Sequence, residues 1–155
     1  MDGAPATDWQ RTPRRMNVSE RRLFRLLQEL GVQVLPQVRV GPWTVDFLFP
    51  DLRIVVEADS RQYHAAREDA RRDRYRDEDL QARGYGVVHV WSDDLYARGG
   101  AAKVRDHVRL RVRRLRGVWL GGRGSERQIE RLAVRVELRD RAAVPEGFAG
   151  LTGRA

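Results

Sequence analysis

The stretch Trp43-Thr-Val-Asp-Phe-Leu-Phe49, Pro50-Asp51-Leu52-Arg53, Ile54-Val-Val-Glu-Ala-Asp59 decides the fold. Two runs rich in β-branched and aromatic residues flank a Pro-Asp turn, which is the pattern of an antiparallel hairpin. Alternation predicts Trp43, Val45, Phe47 and Phe49 on one face of the first strand, with Thr44, Asp46 and Leu48 on the other. A turn over residues 50–53 pairs Phe49 with Ile54 and sets Asp46 opposite Glu57, where cross-strand Cβ atoms lie about 4.5–5.5 Å apart. Asp59, two residues beyond Glu57, shares its face. Three carboxylates on one patch of a half-buried sheet repel one another until protonation, a basic partner or a cation relieves them. An oxygen-rich cluster of this kind suits Mg²⁺ or Mn²⁺.

Outward from the hairpin, Val32, Val34, Val38 and Val40 alternate around Pro36 and predict a preceding strand, closed by Gly41-Pro42. Before it, Asn17 and Glu20 form an N-terminal capping pattern, Leu23, Phe24, Leu26, Leu27 and Leu30 follow at helical spacing, and Gly31 stops the helix. Residues 1–16 carry Pro5 and Pro13 without periodicity and read as a flexible lead-in. After the hairpin, the charged run from Gln62 to Arg83 predicts a solvent-facing helix, Gly86–Trp91 a short strand, and 101–116 a helix with Val104, Val108, Val112 and Leu115 on one face. The order is helix, three strands, helix, strand, helix. It implies an α/β domain over residues 17–116, with a mixed central sheet flanked by helices. Residues 117–155 form a C-terminal extension, in which Ile129, Leu132 and Val136 fit a helix while Val134, Val136 and Leu138 fit a strand equally well.

The chain has 155 residues and a formal charge of +8. Nearly all of that excess lies between Arg98 and Arg116, where eight basic residues face the single acid Asp106. A localised basic stripe is the footprint of a phosphate-binding surface. An arginine-rich composition unrelated to binding would produce the same stripe. The absence of cysteine excludes disulfides, thiolate zinc sites and a cysteine nucleophile. No secretory signal and no apolar run near the roughly 18 residues of a membrane span are present, so no membrane partner is expected and the location expected is cytoplasmic.

Two further residues join the acids as catalytic candidates. Glu20 falls within the apolar arc of its helix, where it either closes the capping box or reaches the acidic patch. His64, five residues beyond Asp59, has the ordinary pKa of a group able to move a proton to or from an attacking water. His89 and His107 lack such company and read as a strand residue and a helix-surface residue.

The blocks Val45-Asp-Phe-Leu-Phe49, Ile54-Val-Val-Glu-Ala-Asp-Ser-Arg-Gln-Tyr-His64 and Asp73-x-x-Arg76-x-x-x-Leu80-x-x-x-Gly84-Tyr-x-Val87 resemble, in that order, the Vsr-like branch of the PD-(D/E)XK restriction-endonuclease-like superfamily. The chain is similar to very-short-patch-repair endonucleases and more closely to bacterial relatives grouped as a domain of unknown function. The resemblance spans roughly Asn17 to Leu115. It implies an αβββαβ core and Mg²⁺-dependent hydrolysis of DNA phosphodiesters in repair or defence. Asp46 and Glu57 then hold the metal, Asp59, Glu20 and His64 assist, and Gln62, Arg72, Arg76, Arg105, Arg109 and Arg113 contact nucleic acid. Departures accompany the match: Val45 stands in place of the signature proline, Asp59 in place of its lysine, Ser60 in place of a glycine, and His89 in place of an arginine. The competing expectation from those departures is a catalytically degenerate nuclease fold that binds nucleic acid or a partner protein.

Overall fold

Asn17 starts the first helix of the computed structural model by accepting from the Glu20 amide (2.9 Å) while the Glu20 carboxylate accepts from the Asn17 amide (2.8 Å). The reciprocal bonds satisfy two backbone donors that a helix start otherwise leaves open. The structure describes residues 8–11, 15–59, 67–121 and 126–128. Its elements are β1 (Trp9–Arg11), α1 (Val18–Gln28), β2 (Leu35–Val40), β3 (Trp43–Phe49), β4 (Ile54–Asp59), α2 (Arg67–Ala82), β5 (Gly86–Trp91), α3 (Ser92–Tyr96) and α4 (Gly100–Arg116). From α1 to β5 the order is the αβββαβ core, and the sheet runs β1-β2-β3-β4-β5. All pairs are antiparallel except β4 with β5, whose parallel pairing requires the α2 crossover.

Each face of the sheet carries its own core. On one, Leu23, Leu26, Leu27 and Leu30 from the first helix and its end meet Phe47, Phe49, Ile54, Val56, Val88 and Val90, together with Val104, Val108 and Val112 of α4. On the other, Leu80 of α2 lies with Val38, Val40, Val45, Leu48, Val55 and Val87. The expected single face for Trp43, Val45, Phe47 and Phe49 is therefore corrected. Trp43 and Val45 belong to the α2 side, and Phe47 and Phe49 to the α1 side. The change coincides with an interruption of the β2–β3 pairing between Pro36↔Phe47 and Val38↔Val45, where Gln37 has φ +52°. A local irregularity of this kind shifts the phase of alternation. It falls beside Asp46.

The lead-in expected to be flexible contributes β1, which pairs with β2 from Trp9↔Val40 to Arg11↔Val38. Just before it, Asp8 accepts from Arg53 Nη2 (3.0 Å) and from the Tyr85 hydroxyl (2.5 Å). The Arg53 guanidinium also lies 4.2 Å from the centre of the Tyr85 ring. These contacts hold the left-handed Arg53 (φ +49°) of the β3–β4 turn, a conformation costly for a residue with a Cβ.

The chain divides into two compact units, Met1–Leu120 and Gly121–Ala155. In the first, Leu120 is buried in the α1-side core and its carbonyl accepts from Arg109 Nε (2.6 Å). The region where helix and strand readings compete, from Ile129 onward, lies outside the described residues. Among the described residues no helix is long and apolar enough to cross a membrane.

Gly100 begins α4 where a Cβ would lie 2.1 Å from the Asp94 carbonyl oxygen. Backbone cannot give way as a side-chain tip does, so Gly100→Ala is expected to destabilise the protein by about 1–3 kcal/mol. Urea unfolding reads the effect; an unchanged midpoint would contradict the close approach of α3 and α4.

Candidate active site

Beyond the pair Phe47↔Val56 the ladder between β3 and β4 gives way to side chains. The Asp46 amide donates to Glu57 Oε2 (3.4 Å), and the Ala58 amide donates to Asp46 Oδ2 (2.9 Å). Each carboxylate thus takes a backbone donor from the opposite strand, and the two acids fill a fork in the sheet. The hairpin register places them together as the turn predicts. Glu57 is only 4% exposed. Burial, and after it the Asp46 charge, push its carboxyl well above the usual carboxylate range, with Arg76 pulling the other way.

Arg76 comes from α2. Its Nη2 donates to Glu57 Oε1 (2.6 Å) and to the Thr44 carbonyl (2.7 Å). Arg76, expected on a nucleic-acid-binding surface, has its guanidinium turned inward onto the buried acid in this structure. The inner face of α2 carries Asp73, Arg76, Asp77 and Leu80, spaced three and four residues apart, and all four are partly or fully buried. That face corrects the reading of α2 as a solvent-facing helix. Tyr75 of the same helix is 64% exposed.

His89 joins a second cluster, which overturns its reading as a lone strand residue. In the parallel register it stands beside Glu57. Its Nδ1 is 2.5 Å from Asp59 Oδ2, and its Nε2 is 2.6 Å from Asp77 Oδ2. The bond to Asp59, seconded by that to Asp77, pushes the imidazole up to about 10 against the opposing effect of burial. His89 is therefore an imidazolium at neutral pH, donating from both nitrogens. It ties β4 to α2 through β5 and offers no proton-accepting nitrogen to a substrate. Asp59 shares the face of Glu57 as expected, but one of its oxygens is committed to His89.

Glu20 is 5% exposed and closes the capping box with one carboxylate oxygen. His64 and Gln62 lie outside the described residues. Arg72 is exposed on α2 and Arg113 half-buried on α4. The α4 stripe is largely engaged in holding the fold together. Arg105 bonds Glu29, Arg109 bonds the Leu120 carbonyl and Asp106, and Arg116 donates to the carbonyls of Leu52, Arg53 and Gly84. Arg105 and Arg109, expected to contact nucleic acid, therefore already have intramolecular partners. His107 Nε2 donates to the His89 carbonyl (3.0 Å).

Among the described residues no group of three or more His, Cys, Asp or Glu side chains is arranged to hold a metal ion. The donors that suit a hard cation are the Asp46–Glu57 pair: oxygen ligands with excess negative charge in a buried fork.

Comparison with known proteins bears on the family and the fold. The family model REase_MTES_1575, of restriction-endonuclease-like domains, matches residues 20–116. The catalytic domain of the homing endonuclease I-Bth0305I has the same fold, with a TM-score of 0.53 and 19% sequence identity over 65% of this chain and 99% of that one. Two uncharacterized proteins of Mycobacterium tuberculosis, MT2308 (strain CDC 1551 / Oshkosh) and Rv2248 (strain ATCC 25618 / H37Rv), are each 35% identical over 68 residues. The match spans 43% of this chain and 25% of the length of each of those relatives.

Proposed function

The chain belongs to the restriction-endonuclease-like family REase_MTES_1575, and from that premise we propose that it is a metal-dependent DNA endonuclease of the Vsr-like kind, acting in repair or defence. The observation that carries the proposal is the Asp46–Glu57 pair in the fork of β3 and β4. A buried Glu57 whose proton affinity is raised by burial and by the neighbouring Asp46 is a poor structural element, and the pair makes good cation ligands. They fit Mg²⁺ or Mn²⁺, which when bound supplies Lewis-acid polarisation of the phosphate and lowers the pKa of a coordinated water.

The chain's own side chains do the rest. Asp46 and Glu57 are positioned by the backbone amides they accept from, so the donor pair is set before substrate arrives. Arg76 orients Glu57 and offsets part of the effect of its burial. The His89 imidazolium fixes α2 against the sheet through Asp77 and partly neutralises Asp59. His64 is the proposed group that moves the proton between the attacking water and the leaving sugar oxygen. Arg72 and Arg113, with Gln62, are proposed to steady the DNA backbone.

The test is incubation of the purified chain with supercoiled, linear, single-stranded and mismatched DNA in Mg²⁺, Mn²⁺ or EDTA, beside Asp46→Ala. Cutting that requires metal and wild-type Asp46 supports the reading. Salt-sensitive DNA binding with no cutting in any condition would sink it and favour a degenerate, binding-only fold.

A further inference from the structure

The metal-free fork already holds a cation. Arg76 Nη2 makes both of the guanidinium's bonds described here, to Glu57 and to the Thr44 carbonyl, and the side chain is only 25% exposed. Its Nε is buried with no acceptor among the described residues. A guanidinium presents five donors in a fixed plane, and a pose that buries one of them without an acceptor is costly. On the same helix, the adjacent Asp77 is bonded to His89. The arrangement balances charge, with one positive group set against the two mutually repelling acids, at the expense of satisfied hydrogen bonding.

A divalent ion entering between Asp46 and Glu57 would meet this guanidinium at the same carboxylate. Like charges a few ångströms apart in a partly buried site repel strongly. We infer that Arg76 is the resident cation of the fork: it competes with the divalent metal for Glu57, withdraws from Oε1 when the metal binds, and so sets the metal affinity of the substrate-free protein. The guanidinium released in this way has its planar donor fork free for an anionic oxygen, which makes the metal and a phosphate oxygen natural co-occupants of the site. The inference rests on the metal-dependent reading above.

The experiment is titration of the full chain with Mn²⁺ by calorimetry, comparing wild type, Arg76→Gln and Asp46→Ala, without DNA. Arg76→Gln is expected to bind Mn²⁺ about tenfold more tightly than wild type, because the competing charge is gone while a hydrogen-bonding side chain remains. Equal or weaker binding by Arg76→Gln, with wild type binding normally, overturns the inference and leaves the metal reading standing. If wild type binds no more Mn²⁺ than Asp46→Ala, the metal reading fails and the inference fails with it. A second measurement needs no folded Gln variant. The Arg76 Nε–Hε nitrogen-15 resonance of wild type, assigned by its loss in Arg76→Lys, is expected to shift in step with Mg²⁺ occupancy. A signal that stays in place at saturating Mg²⁺ overturns the displacement.

Discussion

Glu57→Gln is expected to raise the stability of the metal-free protein and at the same time to lower phosphodiester cleavage by about a thousandfold, or roughly 4 kcal/mol of transition-state stabilisation. The two effects have one cause. Glu57 is buried beside Asp46, and its folded-state pKa is raised well above its ordinary 4.5. The stability contributed by its protonated form is fully present below that ordinary value and is lost as pH rises through the higher folded value. At neutral pH the wild-type fork therefore carries an energetic cost that the amide does not, while the amide oxygen still accepts from Arg76. A gain of about 0.5–2 kcal/mol is the scale found when a functional strain is removed. Thermal melting in EDTA across the acid to mildly alkaline range reads the first effect, and plasmid cleavage in Mg²⁺ the second. A Glu57→Gln protein that melts no higher than wild type at neutral pH would show that Arg76 compensates the buried charge fully.

How much of this was legible in the sequence depends on how each contact is set. The Asp46–Glu57 meeting was legible because both acids sit on one hairpin whose register follows from the Pro50–Arg53 turn. The start of α1 was legible for the same reason, since Asn17 and Glu20 lie within one turn of helix. Contacts made across longer stretches of chain were not. β5 reaches β4 only through the α2 crossover, so nothing local announces that His89 stands beside Glu57 or bonds Asp59. The inner face of α2 left a weaker trace: Asp73, Arg76, Asp77 and Leu80 are spaced as a packing stripe, but three of the four are charged. An apolar periodicity search therefore passes over it. A search for acids and bases at helical spacing opposite a predicted acidic strand would have found it.

The edges of the domain show the same limit. β1 is three residues long, polar in part, and held by Asp8 contacts to Arg53 and Tyr85, which are 45 and 77 residues away in sequence. Local composition around Pro5 and Pro13 pointed instead to a flexible lead-in. The phase change in β3 falls where pairing with β2 is interrupted at the left-handed Gln37, which alternation within Trp43–Phe49 cannot reveal. For α4, charge was read as a surface property, whereas Arg105, Arg109 and Arg116 spend much of theirs on Glu29, Asp106 and backbone carbonyls.

His89→Gln is expected to destabilise the protein by about 2–4 kcal/mol at slightly acidic pH, a range reduced for partial exposure from the cost of breaking a fully buried ion pair. Removing the imidazolium leaves Asp59 and Asp77 without their shared positive partner. Because the folded pKa of His89 is raised from 6.5 to about 10, its stabilisation is fully present below 6.5 and is lost as pH rises through about 10. The difference in urea midpoint between wild type and His89→Gln should therefore be largest near the acid end and shrink steadily toward pH 10. A difference that stays constant over this range would mean the histidine acts as a neutral hydrogen-bonding spacer. Since the clamp also fixes Asp77 of α2 and engages Asp59 on the strand that carries Glu57, loosening it is expected to disturb the placement of α2 over the Asp46–Glu57 pair. The variant should then lose cleavage at pH values where it is still fully folded, which separates a positioning role for His89 from a purely structural one.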